Sequence, residues 1–285
     1  MKRTAVILAV LSIALCAAAQ NSGQPAQTPP AAGQPGAAAP AKRPPQAKTQ
    51  PEFDAYKATA ANTDPAAFEK ASDDFATKFP DSELRALLYK NAMRMYQSAN
   101  NGEKTEAMGR KVLSFDADDP EALVIVAEVI AERTRDTDLD KDQRYDDATK
   151  MAQKATSTVD SDVNVPAGTP QDKLDAYKAL LRSNAYSILG TIAFKKDNYA
   201  VAQDNLQKSI DAFPSQPDPV VVLRLALSMD KQQKYPEALK VANRAVELTQ
   251  ENTAIGTPAR RERDRLQQLT GGAPPAQPAS QPPKN

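Results

Sequence analysis

Tyr186-Ser187-Ile188-Leu189-Gly190-Thr191-Ile192-Ala193-Phe194, then Tyr199-Ala200-Val201-Ala202, Leu206, Ser209 and Pro214, is the stretch that decides the fold of this chain. Large and small apolar residues recur at helical spacing on both sides of Asn198, which predicts two helices joined by a short turn. Gly190 suits a place where the two helices cross closely. Ala202 and Ser209 are the matching small residues on the second helix, and Pro214 closes the unit. Two helices of this length cannot bury their apolar faces alone, so such units must stack on neighbours.

Further units follow the same spacing. Val222, Leu225, Ala226 and Met229 with Tyr235, Ala238, Ala242 and Ala245 repeat it downstream, with Pro236 in the first turn of the second helix, where a missing N–H costs little. Upstream, Leu123, Val126, Ala127 and Ile130 pair with Tyr145, Ala148, Ala152 and Ala155 across an insert at about residues 133–143. Tyr89, Ala92, Met93 and Tyr96 with Thr105, Gly109 and Val112 form an earlier unit, in which Gly102 replaces the usual aromatic. Residues 53–62 and 65–80 read as a degenerate first hairpin carrying Phe68, Phe75 and Phe79, and residues 255–269 as a polar closing helix.

This pattern resembles the tetratricopeptide repeat (TPR), as found in exported bacterial proteins. The resemblance implies an all-α fold: a right-handed α-solenoid of about five helical hairpins plus a C-terminal capping helix. It also implies a concave groove lined mainly by the first helix of each hairpin, a surface that binds a protein or peptide partner.

Outside the repeats the chain changes character. Lys2 and Arg3, an apolar run from Thr4 to Leu15 and Ala17-Ala18-Ala19 predict a signal peptide over residues 1–19. Lipoprotein attachment through Cys16 is the alternative, although Leu15 stands where that reading needs a small residue. Residues 20–50, rich in Pro, Ala and Gln, are expected to be a disordered linker, 51–270 the helical repeat domain and 271–285 a disordered Pro-rich tail. Export predicts a periplasmic or secreted protein with no membrane span in its mature chain. Without residues 1–19 the charge is 34 basic against 36 acidic, which argues against a nucleic-acid partner. Charge is uneven: residues 116–147 hold 12 acidic residues against Arg133, Arg135, Lys141 and Arg144.

Composition limits chemistry. There is no His, and the only Cys is Cys16, so the commonest general base, metal ligand and thiol nucleophile are missing. No phosphate-binding Gly-rich loop or nucleophile elbow occurs, and no cofactor is expected. Asp136, Asp138, Asp140, Asp142 and Asp147 resemble a calcium loop of the EF-hand type, yet Lys141 occupies the place that needs Gly and Asp147 replaces the closing Glu. The plainer reading is a solvated acidic turn before a helix N-terminus.

Carried residue by residue, the resemblance places Lys90, Arg94 and Gln97 in the groove from the second hairpin. The third gives Glu121, Val124, Glu128 and Glu132; the fourth Ser187, Thr191, Phe194 and Lys195; the fifth Val220, Leu223, Leu227 and Lys231. Leu223, Leu227 and Phe194 would form an apolar patch fit for a partner's helix. Alternatively, Arg94 and Glu128 pair between neighbouring repeats and the Arg-rich last helix covers Leu227. The preferred reading is a non-catalytic interaction scaffold of the bacterial envelope. A structural spacer and a cleft enzyme acting on envelope polymer are the alternatives, and a homodimer through end helices stays open.

Overall fold

A computed structural model describes residues 43–166 and 168–271. The expected signal peptide, most of the linker and the tail beyond Gly271 lie outside the described residues. Among these the secondary structure is eleven α-helices and no strand. They form five consecutive hairpins: α1 (Gln50–Ala60) with α2 (Pro65–Lys78), α3 (Leu84–Ser98) with α4 (Gly102–Phe115), α5 (Pro120–Arg133) with α6 (Lys141–Thr158), α7 (Gln171–Lys195) with α8 (Tyr199–Ala212), and α9 (Pro219–Lys231) with α10 (Tyr235–Glu247). A last helix, α11 (Gly256–Leu269), packs on α10 and α9 as the expected cap.

Local sequence sets the helix starts. Thr49, Asp64, Asn101, Asp119, Asn198 and Asp218 each stand at an N-cap, their side chains accepting a backbone N–H of the first turn, a contribution of about 1 kcal/mol each. Pro65, Pro120, Pro219 and Pro236 follow in first turns, where proline is tolerated. Three hairpins share one turn: Asn100, Asp197 and Gln233, each two residues before the second helix, have φ of 56°, 56° and 61°. The third hairpin replaces that turn with the longer connection of residues 134–140.

Each helix packs on the next in sequence, and first helices also touch in turn, α1 with α3, α5 with α7, α7 with α9 and α9 with α11. Among the described residues no two second helices pack comparably. The first helices therefore form the closer, inner layer. The core is a stripe between layers, centred on Leu88, Met93, Val112, Val126, Tyr145, Leu206 and Leu225. Glycines set the helix spacing. A Cβ on Gly190 would lie 2.6 Å from Leu206 Cγ, and one on Gly109 2.3 Å from Val126 Cγ2.

Two boundaries differ from the sequence reading. The first helix of the fourth hairpin starts at Gln171, ten residues before Leu181. Its extra turns carry Leu174 and Tyr177, which pack with Leu181 on Val159, Val163 and Val165 of the preceding connection. At the N-terminal side, residues 43–48 form a non-helical strap along the first two hairpins. Arg43 pairs with Glu83 at 2.5 Å, Lys48 Nζ donates to the Asp81 carbonyl at 2.7 Å, and Ala47 packs on the core.

Candidate interaction surface

Helices α3, α5, α7 and α9 carry the side chains that sequence placed in a groove, and the layer falls into two halves. In the half nearer the N-terminus the cations are already used. Lys90 is 5% exposed and Asp119 2% exposed, and the two are ion-paired. Lys90 also lies 3.8 Å from Glu121. Arg94 donates to both oxygens of Glu121 at 2.6 Å each, the bidentate geometry that suits a guanidinium. The Tyr177 hydroxyl, from the extra turns of α7, stands beside the Arg94–Glu121 pair. One cluster thus ties together three first helices.

Lys90 and Arg94 therefore bridge hairpins, which corrects their placement as partner-binding groups. Asp119 and Glu121 start α5 within reach of α3 and neutralise both. The partner of Arg94 is Glu121, and Glu128 is half-buried one and a half to two turns further along.

Burial alone would raise the Glu121 carboxyl. The Arg94 guanidinium, with Lys90 and the Tyr177 hydroxyl, outweighs burial and holds it below the usual carboxylate range. Glu69 is lowered in the same way, its burial offset by the Tyr96 hydroxyl at 2.5 Å and by Lys104. Tyr96 is in turn pushed up to about 12, by burial and then by Glu69. A depressed carboxyl contributes stability that is complete above its unfolded pKa of about 4.3 and is lost as pH falls through its lower folded value. The thermal midpoint should therefore fall between about pH 5 and about pH 3, and fall less in Glu121→Gln. Equal slopes in the two proteins would show that Glu121 does not carry the effect.

The second half, α7 and α9, is more open. Thr191 Oγ1 accepts from Arg224 at 2.8 Å, tying α9 to α7. Phe194 is half-buried and meets Tyr199 edge-on at 5.5 Å. The exposed Lys195 donates to the Ala131 carbonyl at 2.6 Å, near the end of α5. Glu132 and Lys231 are exposed and Leu227 is half-buried.

Leu223 departs from expectation. At 7% exposure it belongs to the core, in one cluster with Val222, Ala245 and Ala259 and with Ile255 packed against it. The cap closes over this end of the stack, so the apolar patch reduces to Leu227 and Phe194.

The acidic loop also departs from its calcium-loop resemblance. Among the described residues no three carboxylates converge on a point that could hold a metal ion. Asp138 accepts from the Arg135 backbone at 2.9 Å, Asp136 lies 3.8 Å from Lys141 Nζ, and Asp147 accepts from Gln143 at 3.3 Å. Asp140 and Asp142 stand at the start of α6, as the plainer reading has it. With Lys141 in place of Gly, the chain runs into a helix and does not wrap round an ion.

These features define an all-α solenoid of stacked helical hairpins, of the tetratricopeptide type. No family model matches the chain, and no curated protein matches its sequence. Solved structures do match. That described as "Functional Characterization of Pseudomonas Aeruginosa pilF" is 16% identical with a TM-score of 0.53, over 78% of this chain and 87% of that one. YrrB, described as a TPR protein with an unusual peptide-binding site, is 16% identical with a TM-score of 0.47, over 70% of this chain and 85% of that one. MamA is 15% identical with a TM-score of 0.48, over 69% and 89%. At these identities the likeness is one of fold. No described helix is long and apolar enough to cross a membrane.

Proposed function

We propose that the chain is a non-catalytic interaction scaffold of the bacterial envelope, exported by its N-terminal signal, that holds a protein or peptide segment against the inner layer of α5, α7 and α9. One observation carries this reading: the inner layer changes from a closed half, where Lys90 and Arg94 are consumed internally, to a half with accessible mixed chemistry. Thr191, Phe194 and Leu227 offer half-buried surface there, and Glu132, Lys195 and Lys231 add charge of both signs. Apolar anchors rimmed by polar groups are what a bound helix or extended segment requires. Nucleic acid does not suit a body with a small acidic excess.

The test is capture from envelope extract with the native protein and a Leu227→Gln, Lys231→Glu variant as baits, each checked for helicity. Leu223 is left intact because it is core. A protein retained by the native bait and lost from the variant supports the proposal. Identical captures, or none, would place the function outside this surface and favour the spacer.

A further inference from the structure

The repeat pattern is broken at two places, and both breaks meet at one depression on the turn edge between the second and third hairpins. It is open, about 420 Å³ in volume, and lined by Arg133, Arg135 and Arg144 with Glu132 and Asp138. A second depression of about 330 Å³ shares Arg133 and Arg144 and continues towards Arg110. The first break is the long turn of residues 134–140, which supplies Arg135 and Asp138. The second is Gly102, where other hairpins carry Tyr145, Tyr199 or Tyr235. A Cβ on Gly102 would lie 3.0 Å from Arg133 Cδ, so the glycine is what lets the Arg133 chain lie across the start of α4.

We propose that this depression binds a phosphoryl group. Neither the Arg133 nor the Arg135 guanidinium has a carboxylate within 4.0 Å among the described residues, although two carboxylates share their wall. Arg144 is held in place from behind: its Nε donates to Thr134 Oγ1 at 2.9 Å, and that buried hydroxyl donates to the Ile130 carbonyl at 2.6 Å. Its two terminal nitrogens make no bond among the described residues. A planar carboxylate is satisfied by one guanidinium fork, whereas three forks around one space match a tetrahedral oxyanion. Asp138 is engaged with the Arg135 backbone at 2.9 Å, which fixes the turn that presents that arginine. Three cations against two carboxylates leave the empty depression with a net positive charge, so binding is weak and sensitive to salt.

The test is titration of the full chain with inorganic phosphate, glycerol phosphate and acetate, read by the Nε–H resonances of its arginines. Inorganic phosphate or glycerol phosphate should give saturable shifts, and acetate none; whichever of the two binds tighter tells free ion from ester. The Arg133→Gln, Arg144→Gln variant should bind at least about tenfold more weakly. Gly102→Ala, which removes no charge, should also weaken binding while helicity stays native. The proposal is overturned by unsaturable shifts with both phosphates, by equal binding of acetate, or by phosphate binding that either variant leaves unchanged.

Discussion

Replacing Lys90 with Ala is expected to remove about 3–5 kcal/mol of unfolding free energy, the cost of leaving a buried charge without its partner. Asp119 would be that charge: it is 2% exposed and fixed in place as the N-cap of α5, accepting from the Ala122 backbone at 2.9 Å. It cannot turn to solvent without uncapping the helix. Lys90→Met together with Asp119→Asn should recover most of the loss, because Asn keeps the cap and the charge pair is then removed as a unit. Urea midpoints at unchanged slope measure both. A loss under about 1 kcal/mol for the single change would mean that water reaches Asp119 and that the pair is not sealed.

Gly190→Ala should change sign with its background. In an ordinary helix interior this substitution stabilises by up to about 1 kcal/mol. Here the new Cβ would fall 2.6 Å from Leu206 Cγ and 2.8 Å from its Cδ2, inside a fully buried contact. Forcing the two helices apart costs about 1–3 kcal/mol. Leu206→Ala alone should cost about 2–5 kcal/mol by leaving a cavity. Once Leu206 is cut back, adding Gly190→Ala should become neutral or stabilising. A double-mutant cycle by chemical denaturation checks this, and additive effects would show that the hairpin yields elsewhere.

The same two residues show what sequence made legible. Gly190 and Leu206 lie 16 positions apart within one hairpin, and the repeat's own period ties them together. Helix order, the position of Gly190 and the closing role of α11 could be read because each depends on contacts inside one repeat or between adjacent ones. The extra turns of α7 could not, because Leu174 and Tyr177 pack on Val163 and Val165 of an irregular connection that has no counterpart in the period. Repeat register places Leu223 on the inner face correctly, but it does not state that the cap covers that face. Lys90 and Arg94 were likewise placed on the right helix. Their neutralisation comes from Asp119 and Glu121, more than 25 positions away on the next first helix. The sequence held a signal for it, since Asp119-Pro120-Glu121 marks a helix start rich in carboxylates, but nothing local names the cations those carboxylates meet. The acidic loop misled for the opposite reason: spacing alone suggested an ion, and Lys141 decided otherwise.

The strap of residues 43–48 gives the molecule a mechanical character. A pull arriving from the N-terminal side of Arg43 would meet the Arg43–Glu83 pair and the Lys48 bond to the Asp81 carbonyl before it reached α1. Both anchors lie in the turn leading into α3, so the load would bypass the short first hairpin and enter the second. That hairpin is the one joined by Lys90 and Arg94 to its successor. Tension would then fall on the best-bonded joint of the stack, and the terminal helices would stay folded under it.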